Sequence, residues 1–167
     1  MVEERQFKLI KKFGRVEIRQ YLPVVMADVL VNSEYKNAAN IGFRPLVSYI
    51  SQNNIAMTAP VIQEQNQEGS WVVSFVMPNN YQLSNLPLPS NTDVTLRESP
   101  SYFAAALPFS GITTWEKVSQ KEKELQDILK SNSVSILGSV QIARFDPPWK
   151  PGFMRRNEVI FPVNYQE

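Results

Sequence analysis

The sequence predicts an α+β fold: two copies of a ββαββ unit forming a distorted antiparallel β-barrel or sheet with two main helices. Three observations point there. Two segments with helical periodicity, 34–53 and one opening at Thr113, each lie between pairs of β-like runs. The order strand, strand, helix, strand, strand therefore occurs twice, in 16–78 and in 93–163. Local spelling repeats as well: Val16-Glu17-Ile18-Arg19 before Pro23 resembles Val94-Thr95-Leu96-Arg97 before Pro100, and Ala27 and Ala104 follow those prolines at the same distance.

The elements follow in order. Residues 16–19 alternate apolar and polar, Pro23 interrupts, and 24–31 resumes with β-branched residues. The first helix places Ile41, Leu46, Tyr49 and Ile50 on one face. Pro45 requires that it bend near 42–45 or begin its regular part near Phe43. Asn53-Asn54 ends it. Residues 55–63 and 71–77 make a hairpin across the polar stretch 64–70, and 78–91 is a Pro- and Asn-rich connector. Strands at 93–98 and 102–109 open the second half. In the second helix Thr113 and Glu116 have capping-box spacing, and Trp115, Val118, Leu125, Ile128 and Leu129 form its apolar stripe. Strands at 133–145 and 158–163 close the chain, joined by the Pro-rich basic loop 146–157.

At 167 residues the chain fits a single domain, 1–167, with one sizeable core. Seventeen basic and sixteen acidic side chains leave a net charge of +1, which excludes the electrostatic footprint of a nucleic-acid binder or of an anionic-membrane binder. No apolar run is long enough to span a bilayer, and the polar start has no secretory core. The chain reads as cytoplasmic or otherwise intracellular, a plastid included if it is a processed form. It contains neither histidine nor cysteine. That removes Cys–His and Ser–His mechanisms, the usual neutral-pH base and typical zinc sites, and favours binding over catalysis.

Three motifs then come into view: Ile55-Ala56-Met57-Thr58-Ala59-Pro60-Val61, Phe145-Asp146-Pro147-Pro148-Trp149-Lys150-Pro151 with Arg155-Arg156-Asn157-Glu158-Val159, and Phe43-Arg44-Pro45-Leu46 leading to Tyr49-Ile50. In their order along the chain, 43–50, 55–61 and 145–159, they resemble the SOUL/haem-binding-protein family, over 16–163. The resemblance implies a fold similar to bacterial effector-binding domains and a groove beside the first helix for haem or a related tetrapyrrole. On it, Phe43, Leu46, Val47 and Ile50 would supply the apolar wall, while Arg44 and Lys150 would meet the propionates. The histidine that some members of that family use as axial ligand has no counterpart here, so haem would bind as in the members without histidine ligation. Met26, Met57, Met154, Tyr21, Tyr49 and Tyr102 are the remaining candidate axial donors.

Each assignment has a structural competitor. Helical residues at the spacing of 43, 46, 47 and 50 also build cores. Lys150, Arg155 and Arg156 would equally fix their own loop by pairing with Asp146 and Glu158. Met57 to Pro60 reads as an edge or bulge. Asp28, Glu98, Asp146 and Glu158 are the carboxylates nearest strand ends or motifs, and no spacing brings two of them together. The reading is a non-catalytic carrier, buffer or sensor for a small-molecule tetrapyrrole. The alternatives are a module for another planar or cationic effector, an enzyme that consumes a tetrapyrrole, and an interaction protein using loop 78–91 or 146–157.

Overall fold

The computed structural model describes residues 2–166, and among these the chain forms twelve strands and two α-helices. The first stretch comprises β1 (Glu3–Glu4), β2 (Phe7–Phe13), β3 (Val16–Tyr21), β4 (Val24–Val31), α1 (Tyr35–Gln52), β5 (Thr58–Ala59), β6 (Val61–Gln65) and β7 (Trp71–Val76). The second comprises β8 (Val94–Ser99), β9 (Tyr102–Ser110), α2 (Trp115–Ser131), β10 (Ser135–Ile136), β11 (Gln141–Arg144) and β12 (Arg156–Asn164). The fold is α+β, and none of the described helices is long and apolar enough to cross a membrane.

The chain divides into two compact units, each assembled from separate segments: the chain up to Arg5 with Pro23–Pro100, and Gln6–Leu22 with the chain from Ser101 onward. In the first, β6, β7, β4 and β8 make an antiparallel sheet in that order, and β1 pairs in parallel with β5. In the second, the antiparallel order is β2, β3, β9, β12, β11. β3 thus pairs with β9, and β8 pairs with β4.

In the first unit α1 lies across β4 and β7. It continues unbroken from Tyr35 through Pro45 rather than beginning near Phe43, and Ala38 before the proline and Leu46, Tyr49 and Ile50 after it are all buried. Packing on both sides of Pro45 outweighs the single hydrogen bond its ring nitrogen cannot make. Ile41, predicted for the buried stripe, is exposed. Gly42 occupies the contact instead, and a Cβ there would stand 2.6 Å from Val73 Cβ. The absent side chain is what lets α1 approach β7 so closely.

In the second unit α2 packs on β9 and β12 through Val118, Leu125 and Leu129. Its cap is Thr114, one residue later than predicted, with Lys117 N–H donating to the Thr114 hydroxyl at 3.2 Å. Thr113 is drawn away because its hydroxyl accepts from Arg144 Nε on β11 at 2.9 Å. Trp115, at the first helical position, is exposed and outside the stripe.

Both helices stop in the same way. Asn54 (φ 53°) and Ser133 (φ 57°) adopt the left-handed conformation, and the next residue's N–H turns back into the last turn. Ile55 N–H donates to Ile50 O and Val134 N–H to Leu129 O, both at 2.9 Å. These are Schellman closures with an apolar pair over each.

Three stretches depart from the sequence prediction, the first being 55–63, which forms β5 and β6 on either side of Pro60 rather than one strand. Residues 133–145 form β10 and β11 rather than one strand. Both pair with β12, but Pro162 there has no N–H to give, and Leu137–Val140 bulge past it. Nor did alternation reveal β2, whose lysine-rich sequence forms one end of its unit's strand order. Lysines on an outer strand discourage pairing with another chain.

Gly42→Ala separates helix propensity from packing. Propensity alone would make alanine about 1 kcal/mol the more stable. The clash with Val73 predicts instead a loss of about 1–3 kcal/mol, measurable by urea unfolding.

Candidate functional site

Five of the six predicted binding residues lie on α1. Leu46 is wholly buried and Ile50 nearly so, and both face the sheet as core. Phe43 is 38% exposed, with its ring edge-on to Phe75 at a centroid distance of 5.3 Å. Val47, one turn on, is half-buried, and Arg44 is exposed. Helical spacing therefore sets Phe43 and Val47 as an apolar strip with Arg44 along its solvent side. The opposite flank of α1, Pro45, Ser48, Tyr49 and Gln52, borders a hollow of about 30 Å³ against Pro89–Asn91 and Val94. Tyr49 closes its base by donating its hydroxyl to Pro87 O at 2.7 Å, and burial, then the charge of Tyr81, pushes the phenol's pKa up. Pockets for drug-sized ligands start at roughly 300 Å³. A macrocycle on α1 would therefore lie along its open face.

Lys150 belongs to the other unit, in the Pro-rich loop between β11 and β12. Its ammonium pairs with Asp146 at 2.9 Å, and Asp146 also accepts Arg156 N–H at 2.6 Å. Burial pushes the Asp146 carboxyl up, but the Arg156 and Lys150 hydrogen bonds and charges outweigh it and hold it below the usual carboxylate range. Arg155 donates to the backbone carbonyls of Lys150 (2.8 Å) and Pro148, while the Arg156 guanidinium lies 4.1 Å from the Phe145 ring centroid. The loop is fixed by its own cations.

Glu158, which sequence reasoning matched with Arg155 and Arg156, is paired elsewhere. It is buried on β12 and takes a two-pronged contact from Arg19 of β3, Nη1–Oε1 2.7 Å and Nη2–Oε2 2.6 Å. Arg19, 4% exposed, also reaches Glu17 through Nε (2.9 Å) and Nη2 (2.8 Å) and donates to the Tyr21 hydroxyl at 3.0 Å. The Phe7 ring lies 4.2 Å from its guanidinium carbon. Burial by itself would lower the Arg19 pKa; Glu158 and Tyr21 more than reverse that, so the cation persists at any ordinary pH. The side chain reaches β12 by crossing β9, where Ala104 and Ala106 stand opposite Arg19 and Glu17. Larger residues there would block it. The cluster joins positions 139 apart, and nothing in the local sequence announces it.

The first unit carries a lesser network. Asp28 on β4 accepts from the Ser74 hydroxyl of β7 at 2.5 Å and from Arg97 Nε of β8 at 2.7 Å. On β6, burial pushes the Glu64 carboxyl up; Arg97 lowers it, and Asp28 raises it again.

The donor set offers little to an iron. Among the described residues no group of three or more His, Cys, Asp or Glu side chains is placed to hold a metal. Met26 lies in a core cluster with Ile62 and Val76. The Tyr21 and Tyr49 hydroxyls are engaged, and Tyr102 faces Gln141 at 3.4–3.5 Å. Met57 is half-buried and Met154 is exposed. The residues present would suit the apolar face and carboxylates of a macrocycle, and of the six candidate axial donors only Met154 is exposed.

A sequence model of the SOUL heme-binding protein family matches residues 2–162. No curated protein sequence matches the chain. Among solved structures, the chain is similar in fold to the EcmrR C-terminal domain, with TM-score 0.71 and 11% identity over 90% of this chain and 98% of that one. It is also similar to a hydrolase from Listeria innocua, with TM-score 0.62 and 10% identity over 90% and 92%. A third likeness is to SAV2435 bound to tetraphenylphosphonium, with TM-score 0.57 and 8% identity over 90% and 94%. At these identities the likeness is one of fold alone.

Removing Arg19 leaves Glu158 buried without its cation, so Arg19→Ala is expected to lose about 3–5 kcal/mol in chemical denaturation. Glu64 gives a pH signature. With its carboxyl pKa raised on folding, the native state binds the proton more tightly. Stability is then expected to fall as pH rises through the window above the ordinary carboxylate value of 4.5. Glu64→Gln should flatten that slope in a pH series of unfolding curves.

Proposed function

Because the chain belongs to the SOUL heme-binding protein family, we propose that it binds haem or a related tetrapyrrole without catalysing its conversion, as a carrier, buffer or sensor. The observation that carries this reading is the open flank of α1: a half-exposed aromatic ring, Phe43, with Val47 one turn on and the Arg44 guanidinium beside them. An apolar strip edged by a cation suits a flat macrocycle whose rim bears carboxylates. Burial of the ring face would drive binding at roughly 25 cal/mol per Å² of apolar area. Arg44 is the better-placed propionate partner of the two predicted cations, since Lys150 already holds Asp146. Haem would bring redox and gas-binding chemistry, and the protein would supply contact and orientation rather than an iron ligand.

A second reading, a module for a planar or cationic effector, has one observation behind it. Glu17 and Glu158 share a single guanidinium beside the rings of Tyr21 and Phe7, with Lys12 opposite Glu17 on β2, so two carboxylates stand among aromatic rings. SAV2435, of similar fold, has been captured with tetraphenylphosphonium, an apolar cation.

Titration of haemin and of iron-free protoporphyrin, followed by absorbance and tryptophan fluorescence, tests the first reading. Both ligands are expected to saturate at one per chain with similar affinity, since no iron ligand contributes. Phe43→Ala should weaken both about tenfold, equivalent to about 1.4 kcal/mol. Arg44→Ala should weaken both by up to about fivefold, as fits an exposed ion pair of at most about 1 kcal/mol. Saturation by haemin alone would mean that the protein ligates iron. If neither pigment saturates while tetraphenylphosphonium does, the effector reading takes its place.

A further inference from the structure

The loop between β11 and β12 exposes side chains that a folded chain ordinarily hides. Trp149 is 84% exposed and Phe153 81%, with Met154 and Ile112 more than half exposed beside them. Ile112 leans on the loop at Gly152, where an added Cβ would lie 2.9 Å from Ile112 Cγ1. Side chains so nearly surrounded by solvent protrude; they do not line a groove.

Charge is concentrated in the same place. Residues 144–156 hold four cations, Arg144, Lys150, Arg155 and Arg156, against the single carboxylate of Asp146. That net +3 belongs to a chain whose total is +1. The near-neutral sum therefore conceals a basic collar around an aromatic tip. The loop is also held ready: Pro147, Pro148 and Pro151 restrict its backbone, and Arg155 and Asp146 tie it to itself. Little conformational freedom remains to be lost on docking.

We infer that this loop docks the protein on an anionic lipid surface, with Trp149 and Phe153 entering the headgroup region and the basic collar facing lipid phosphates. Tryptophan at such an interface keeps its apolar body in lipid and its N–H near water. Each cation close to an anionic leaflet contributes about a fivefold gain in partitioning, the equivalent of about 1 kcal/mol. A second copy of the chain is the poorer occupant, because a two-fold contact through this patch would set like charges against each other. The inference is independent of the tetrapyrrole reading.

Co-sedimentation with vesicles of phosphatidylcholine, alone or mixed with phosphatidylglycerol, decides the matter. The wild-type chain is expected to sediment with the mixed vesicles and not with phosphatidylcholine alone, and to be released as salt screens the collar. Trp149→Ala with Phe153→Ala should reduce binding at least about tenfold while leaving the melting temperature unchanged, both side chains being in solvent. Trp149→Phe should keep the binding and lose the blue shift of tryptophan emission. Failure to bind mixed vesicles, or binding indifferent to the double substitution, overturns the proposal. So does a wild-type dimer in analytical ultracentrifugation that the double substitution makes monomeric.

Discussion

Arg19 holds its unit together from end to end. It sits on β3, near the beginning of the chain, and its guanidinium is locked into Glu158 on β12, near the end. A buried cation is tolerable only when its donors are met, and here two carboxylates, a phenol and an aromatic face meet them. The demand spreads outward. The strand between must stay low, and its alanines at 104 and 106 leave the passage open. Ala105, between them on the opposite face, is buried as well, so this strand has small residues on both of its sides. The C-terminal strand, in turn, is placed by its charge partner as much as by its ladder.

How much of this could be read beforehand depended on distance along the chain. Local features were legible: the periodic second helix, the polar hairpin 64–70, and Asn53-Asn54 as a stop, each written within a few residues. Pro45 was ambiguous because a proline states a local cost, while Leu46, Tyr49 and Ile50 repay it in tertiary packing that periodicity only hints at. Gly42 was missed for the converse reason: its role is the absence of an atom, which no hydrophobic pattern can display. The Arg19–Glu158 pair was beyond reach. Glu158 stands beside Arg155 and Arg156 in the sequence, and proximity nominated the wrong partners. Of the candidate site, α1 was found as an element, but which of its residues face the sheet and which the solvent needed the structure. Phe43 and Val47 are on the open flank, and Leu46 and Ile50 are not.

A summed charge hides where the charges lie. Seventeen cations and sixteen anions describe a near-neutral object, yet residues 147–156 hold three cations and no carboxylate. The Asp-Pro-Pro loop shows how the two descriptions coexist. Its cations are spent partly on the loop's own shape, Arg155 on carbonyls and Lys150 on Asp146. They nevertheless remain charges, with fields that extend about a Debye length, roughly 8 Å in physiological salt. A group can therefore serve as a local fastener and still contribute to the potential met by an approaching ligand.

The pairing of β3 with the distant β9 bears on how the protein is made. During translation the strand 16–21 emerges early, but its neighbour β9 arrives some eighty residues later, and β4 must wait until β8 is out before its sheet is complete. The first unit's antiparallel sheet and α1 lie within the contiguous stretch 23–100, but the second unit cannot close until β9 reaches β3, and such long-range pairings are associated with slow folding. For an interval the nascent chain carries apolar strands without their neighbours, a state open to capture by chaperones or by another nascent copy. Interleaving has a compensating effect once folding is done. Each unit's core is built from segments on both sides of the other's, so one unit cannot be cut away at a single peptide bond with the other left whole.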